Sequence, residues 1–158
     1  MSALKSLALA IEVATRARDQ ADQALMQARR AVQQAQGQLD QLESYAADTE
    51  SRWATASAVS LSAELMQHHH HFQQRLRQAI GMQQGVMGDL QRQAEAARLR
   101  RVQEEVRLAA FQQLLKKKLA TRTQQEARRE QKQMDELAVL KYARAAGGTG
   151  SLLTGEPT

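Results

Sequence analysis

The strongest structural pattern in the chain lies in the stretch LKSLALAIEVATRARDQADQALMQARRAVQQAQGQLDQLESYA, residues 4–46. Certain positions in it recur at spacings that alternate strictly between three and four, a heptad repeat sustained over six units. A heptad repeat of this length predicts a coiled-coil seam. Alternate seam positions are mostly alanine, which predicts close packing against a partner helix. The seam positions are Leu4, Leu7, Ile11, Ala14, Arg18, Ala21, Leu25, Ala28, Val32, Ala35, Leu39, Leu42 and Ala46.

Arg18 is the one charged residue in this first seam, and two interpretations of it are open. A polar seam residue can fix the register of two helices at some cost in stability. Alternatively, the apolar stem of the arginine lies along the seam while its charged end reaches water.

A second seam follows between residues 76 and 97, and the segment that separates the two seams is rich in Ser, Thr and Ala. Two seams joined by a short connector predict an all-α fold, a long antiparallel two-helix coiled-coil hairpin. We expect helix 1 at about 3–49, a connector at about 50–62 in which Ser62 caps the restart, and helix 2 at about 63–146. The second seam is formed by Leu76, Ile80, Gln83, Met87, Leu90, Ala94 and Ala97.

Helix 2 is predicted to be much longer than helix 1. A turn within residues 50–62 places Leu4 opposite residues 96–120, so the rest of helix 2 forms a C-terminal helical overhang. Its last part, MDELAVLKYARA at 134–145, carries apolar residues with nothing inside the hairpin to meet. Residues 1–146 therefore form the hairpin, and the Gly-rich residues 147–158 are predicted to be a disordered tail. After Ala97 the apolar residues form a wider band of Val102, Val106, Leu108, Phe111, Leu115 and Leu119.

Composition argues against several classes of protein. The chain of 158 residues has two Phe, two Tyr, one Trp and no Cys. Such a composition is typical of long helices, and it excludes thiol nucleophiles and thiolate metal sites. No apolar run approaches the ~20 residues of a transmembrane helix. A two-helix hairpin also has no concave pocket for catalysis, so we predict a protein that is not an enzyme and needs no cofactor.

The run HHHH at 68–71 contains every histidine of the chain. On a helix only His68 and His71 share a face. Two nitrogen ligands make an incomplete zinc site. We therefore predict a solvated run and no metal site.

The second helix has two further features. Gly81, Gly85 and Gly88 fall on its outer side, where they mark a bend, a close approach of a partner, or simply tolerated positions. Arg and Lys are concentrated between Arg92 and Lys132, and the net charge of the chain is +5. Because these charges surround the helix and no stacking aromatics accompany them, we predict a solvated or protein-facing surface and no nucleic-acid binding.

Three blocks resemble the flagellar export protein FliJ family: QQAQGQLDQLESY at 33–45, HFQQRLRQAI at 71–80 and REQKQMDELA at 129–138. The resemblance extends over most of residues 4–145. It implies an antiparallel coiled coil similar to the central stalk of rotary ATPases, located in the cytoplasm at the inner face of the inner membrane. It also implies three partners: the hexameric flagellar export ATPase, the export-gate membrane protein and export chaperones.

The resemblance assigns a patch to the turn end of the hairpin for binding the export gate. Leu42 and Leu76 are equally explained as seam residues, whereas Tyr45 and Phe72 lie off the strict register. The family pattern has an aromatic residue where Thr49 stands and can have a histidine where Gln83 stands. The patch consists of Gln38, Leu42, Tyr45, Phe72, Leu76 and Ala79.

The overhang is the candidate for contact with the ATPase ring, because its apolar residues are unpaired. Two alternative functions remain. One is the equivalent stalk of a virulence injectisome, and the other is a basic coiled-coil adaptor for nucleic acid or a membrane surface. The ring-contact candidates are Arg129, Gln131, Met134, Asp135, Glu136 and Leu137.

Overall fold

The computed structural model describes residues 2–56 and 62–152, with side chains described up to residue 147. Helix α1 spans Ser2–Ala56 and helix α2 spans Ala63–Leu152. The two helices pack against each other, and over these ranges there is no β-strand. The predicted all-α helical hairpin is therefore confirmed.

Helix α1 runs further than its sequence suggests, to Ala56 rather than to residue 49. The hydroxyl of Thr49 donates to the carbonyl oxygen of Tyr45 at 2.8 Å, and the hydroxyl of Thr55 donates to that of Ser51 at 3.1 Å. Each of these bonds spans four residues and lies within the helix, so the hydroxyls do not compete with it. The end of helix 1 predicted from the Ser/Thr-rich composition is therefore too early.

The start of α2 has the expected cap. The backbone N–H of Leu65 donates to Oγ of Ser62 at 3.3 Å, and the N–H of Met66 donates to the Ser62 carbonyl oxygen at 3.2 Å. A serine oxygen that accepts from the third helical residue is the usual N-cap arrangement. The prediction that Ser62 caps the second helix is confirmed.

At its other end, α2 continues to Leu152 rather than stopping at residue 146. Residues 147–152 of the predicted tail are therefore helical. Residues 153–158, and residues 57–61 of the predicted connector, lie outside the described residues.

The chain divides into two units, and the boundary crosses both helices. The hairpin unit is Ile11–Ala109, and the terminal unit combines Met1–Ala10 with Ala110–Thr158. In the hairpin unit the two helices run antiparallel, because Asp22 bonds to Arg101 while the later Ala35 bonds to the earlier Gln83.

The seam predicted for α1 is buried or half-buried at every one of its positions, and so is the seam predicted for residues 76–97 of α2. The small residues of α1 are among the most buried, as tight packing at alternate layers requires. The buried residues are Leu7, Ala14, Ala21, Leu25, Ala35, Leu39, Leu76, Met87 and Leu108.

The apolar band predicted after Ala97 is wrong in part, since Val102, Val106 and Leu119 are exposed. The heptad spacing instead continues along α2 through the half-buried Arg101 and Glu104 to the buried Leu108. Because the helix keeps its period, polar residues occupy seam positions there, and the exposed valines point away from the seam.

The polar residues form a charged layer between the helices of the hairpin unit. Nε of Arg101 donates to Oδ1 of Asp22 at 2.5 Å, and Nη2 of Arg101 lies 3.1 Å from Oε1 of Glu105. Arg18 instead donates from Nη2 to Oδ1 of Asp19 at 2.9 Å, within its own helix. The hydrogen bond to Asp19, together with the charges of Asp19, Asp22 and Glu105, raises the pKa of Arg18. The guanidinium of Arg18 therefore points away from the seam. In this layer the ion pair between the two helices is formed by Asp22 and Arg101.

The apolar core of the hairpin unit lies nearer the turn. Ala35, Leu39 and Met87 are buried together, with Val32, Ile80 and Leu90 packed against them. Beside this cluster, Nε2 of Gln83 donates to the carbonyl oxygen of Ala35 and to Oε1 of Gln38, both at 3.0 Å. Gln83 thus occupies a seam position and ties the two helices together through a polar contact.

In the terminal unit, the beginning of α1 lies beside α2. Leu7 is buried, and Leu4 lines a shallow groove with Arg122, Gln125, Glu126 and Arg129. That Leu4 faces a residue within 96–120 of α2 stays a prediction.

Every described side chain of α2 from Lys116 to Gly147 is exposed. Within residues 2–56 and 62–152, neither helix contains a stretch long and apolar enough to cross a lipid bilayer.

The seam makes a direct prediction for stability. Leu25 is 4% exposed and its neighbour Met26 is 53% exposed. We expect Leu25→Ala to lower the free energy of unfolding by about 2–4 kcal/mol, because it removes buried apolar surface and leaves a cavity. The matched Met26→Ala should change it by less than about 0.5 kcal/mol. Urea unfolding followed by circular dichroism measures both, and equal effects would contradict the seam.

Candidate partner-binding surfaces

The structure brings together the two aromatic residues of the predicted turn-end patch. The rings of Tyr45 and Phe72 lie with centroids 5.9 Å apart and planes at 79°, an edge-to-face contact between α1 and α2. Phe72 is half-buried, whereas Tyr45 remains 55% exposed. Aromatic pairs of this geometry stabilise each other beyond their buried area. The pair therefore presents a rigid, partly accessible apolar surface.

The other members of the turn-end patch have different roles in the hairpin unit. Gln38 is exposed and accepts a hydrogen bond from Gln83, so its amide is already engaged. Leu42 and Ala79 are half-buried, and Leu76 is only 9% exposed. Burial of this extent favours a packing role for Leu76. The exposed members of the patch are Gln38 and Tyr45, whereas Phe72, Leu42 and Ala79 are half-buried.

A second aromatic contact was missed at the sequence level. The indole of Trp53 and the imidazole of His69 are stacked, with centroids 3.9 Å apart and planes at 6°. Both residues are half-buried, and both continue the heptad spacing of their helices. Trp53 fell within the predicted connector, so the pattern offered no partner for it. The contact could have been predicted by continuing the heptad spacing of each helix through polar and aromatic residues.

This contact corrects the interpretation of the histidine run as uniformly solvated. His68, His70 and His71 are exposed, whereas His69 packs on Trp53. His70 and His71 have ring centroids 6.4 Å apart at a tilt of 58°. Across the described part of the chain, no three His, Asp or Glu side chains are grouped so as to hold a metal ion.

The predicted ring-contact residues lie on the exposed part of α2, in the terminal unit. Gln131 donates from Nε2 to Oδ1 of Asp135 at 3.4 Å, a contact within the helix. Asp135 and Glu136 also border an apolar surface groove with Lys132, Val139 and Leu140. The exposed candidates are Arg129, Gln131, Met134, Asp135, Glu136 and Leu137.

The apolar side chains at this end of α2 do not form one face. Successive residues of a helix are about 100° apart, so Met134, Leu137 and Val139 point in directions separated by roughly 60–160°. Leu140 and Tyr142 point into the gaps between them, and all five are more than half exposed. A helix that is apolar on all sides is normally buried on all sides. We call residues 134–142 the terminal segment.

The geometry defines a class of protein: a two-helix antiparallel coiled coil that carries accessible aromatic and apolar residues on its surface. A family model described as "Flagellar FliJ protein" matches residues 4–147, and the chain belongs to the FliJ family. No curated protein and no solved structure matches the chain.

Membership confirms the resemblance carried by the three sequence blocks. At the level of the family, the chain is a component of the flagellar protein export apparatus. The family is non-catalytic, and its members interact with the flagellar export machinery.

The stacked pair at the turn end can be tested by a double-mutant cycle. We expect Trp53 and His69 to show a coupling free energy of about 0.5–1.5 kcal/mol when each is replaced by alanine singly and together, because stacked rings interact beyond their area. The exposed His68 is the matched control, and His68→Ala should show no coupling to Trp53. Urea unfolding gives all the values, and equal coupling for the two histidines would refute the contact.

Proposed function

We propose that this chain is the non-enzymatic stalk of the flagellar export ATPase. The terminal segment inserts into the hexameric ATPase and promotes its activity, and the turn-end patch binds the export-gate membrane protein. The chain thereby couples the ATPase to the gate from the cytoplasmic face of the inner membrane. It also assists export chaperones, a role that rests on the resemblance to the family alone.

The observation that carries this proposal is the terminal segment. Its five large apolar side chains are exposed and point in all directions around α2. Such exposure is unfavourable in water, at about 25 cal/mol for each Å² of apolar surface. A partner that docks on one face would leave the opposite side chains in water. An annular partner, such as the centre of a hexameric ring, covers them all.

The turn-end patch supports the second half of the proposal. Tyr45 and Phe72 are held edge to face by two different helices, so a partner meets a preformed surface. Aromatic residues in such surfaces contribute a large share of binding energy. Preformed anchors also reduce the entropy lost on binding.

A different observation keeps the basic adaptor as a second candidate. Lys116, Lys117, Lys118, Arg128 and Lys132 are exposed on α2. Binding of DNA or anionic vesicles through them would weaken steeply with salt, because bound counterions are released. The flagellar family match favours the export stalk over both this adaptor and the injectisome stalk.

The ring contact is tested by hydrolysis of ATP by the cognate export ATPase. We expect Leu137→Ala to raise the concentration of this chain needed for half-maximal stimulation about tenfold, since burial of a leucine is worth about 1.5–3 kcal/mol. Truncation after Gln133 should abolish stimulation. Neither change should unfold the helices, because the side chains of residues 134–147 are exposed.

Met82→Ala is the control for the ring contact, since Met82 is 74% exposed on the hairpin unit. It should leave stimulation unchanged. Full stimulation by the truncated chain would show that the terminal segment is not the ring contact. Loss of stimulation with Met82→Ala as well would point to a different surface.

The gate contact is tested by Phe72→Ala and Tyr45→Ala. We expect each to weaken binding to the cytoplasmic domain of the cognate gate protein by about thirtyfold or more, because interface aromatics contribute about 2 kcal/mol or more. Helicity by circular dichroism should be retained. His70→Ala, an exposed neighbour, is the control and should bind normally. Wild-type affinity of both aromatic variants would remove the patch from the proposal.

A further inference from the structure

All four glycines of the hairpin unit lie at one level of the two helices. Gly37 is on α1, and Gly81, Gly85 and Gly88 are on α2. Gln83 bonds to Ala35 and Gln38, which places these two stretches directly opposite each other. The remaining glycines of the chain begin at residue 147. We call this position the glycine level.

None of these glycines is required by space or by backbone conformation. An added Cβ would meet nothing within 4 Å at Gly37, Gly81 and Gly85. At Gly88 it would meet only the movable guanidinium of Arg92, at 3.7 Å. Among the described residues, no glycine has a positive φ. Alanine fits at all four positions and is a far better helix former.

The glycines do not form one docking face. Gly37 lies two residues from the buried Ala35 and from the buried Leu39, about 200° around α1 from each, and so faces outward. Gly85 is likewise two residues from the buried Met87 on α2. The exposed Gly37 and the exposed Gly81 and Gly85 therefore lie on the outer sides of different helices, and a single partner helix cannot approach both.

The helices remain joined at this level by their side chains. The cluster of Ala35, Leu39 and Met87 packs there, and Gln83 holds the backbone of α1. A locally weak helical backbone combined with a firm side-chain contact permits bending without separation of the helices. Glycine in helix interiors is a common site of bends.

We propose that the glycine level is a bending joint of the hairpin unit. It lies between the aromatic pair Tyr45–Phe72 on one side and the charged layer of Asp22 and Arg101 on the other. Bending there changes the direction of the turn-end patch relative to the rest of this unit. The joint depends only on the geometry of the hairpin unit, so it stands or falls independently of the proposed partners.

The first test is hydrogen exchange measured by mass spectrometry on the full chain. Backbone amides of residues 80–89 should have lower protection factors than those of residues 90–100. The triple variant G37A/G81A/G85A should raise protection at the glycine level by about fivefold or more, because each alanine favours the helix. Equal protection of the two stretches in the wild type, or no change in the variant, would overturn the joint.

The second test measures bending directly, and the absence of native cysteine makes it simple. Spin labels at Q20C and R52C, two exposed positions of α1, lie about 48 Å apart along a straight helix. Pulsed electron resonance should give a distance distribution that narrows in the triple variant. Adding A24G and A96G to that variant creates glycines at another level, and the distribution should broaden again. Identical widths in all three proteins would contradict the proposal.

Discussion

Packing of small residues along the seam between α1 and α2 holds the two helices together. Ala14, Ala21 and Ala35 are buried beside the larger Leu25 and Leu39, so close helix packing alternates with bulky layers. This pattern resists sliding, because a shift by part of a heptad would place bulky residues against bulky ones. The hydrogen bond from Arg101 to Asp22 stabilises the same register in the hairpin unit. A half-buried ion pair of this kind adds little stability by itself, so packing sets the register and the charge contact reinforces it.

The seam and the hairpin could be predicted from the sequence because the heptad spacing can be recognised in each helix by itself, without knowledge of the partner helix. The continuation of the seam could not, since Arg101, Glu104, Trp53 and His69 are not apolar aliphatic residues. A search for apolar periodicity treats each of them as a break. Their seam positions become visible only when the spacing is followed without regard to residue type.

Helix boundaries were the least predictable feature. The predicted end of α1 is too early because its Ser and Thr residues suggest a connector. In the structure the hydroxyls of Thr49 and Thr55 donate to backbone carbonyl oxygens of the same helix. The end of α2 was also placed too early, since Gly-rich sequence suggested that the helix stops. Ser62 was predictable because its cap is a local interaction. The stack of Trp53 on His69 was not, because it depends on where α1 ends.

The two candidate surfaces differ in how they are prepared for a partner. The turn-end patch is organised by contacts between two helices, and Tyr45 leans on Phe72 before any partner arrives. The terminal segment is positioned only by the backbone of α2, and its apolar side chains are exposed. A rigid patch suits a contact made from one side, and a segment that is apolar all round suits a partner that encloses it. Both surfaces belong to a chain of the FliJ family, a component of the flagellar protein export apparatus.

Methionine oxidation measures whether the export ATPase encloses the exposed terminal segment. Met134 is 67% exposed on the terminal segment, and Met82 is 74% exposed on the hairpin unit. Their oxidation rates can be compared by mass spectrometry in the free chain and in its complex with the cognate hexameric ATPase. If the ATPase encloses the terminal segment, Met134 becomes strongly protected in the complex while Met82 reacts as before. Oxidation of Met134 in the fully formed complex at the same rate as in the free chain would contradict this enclosure.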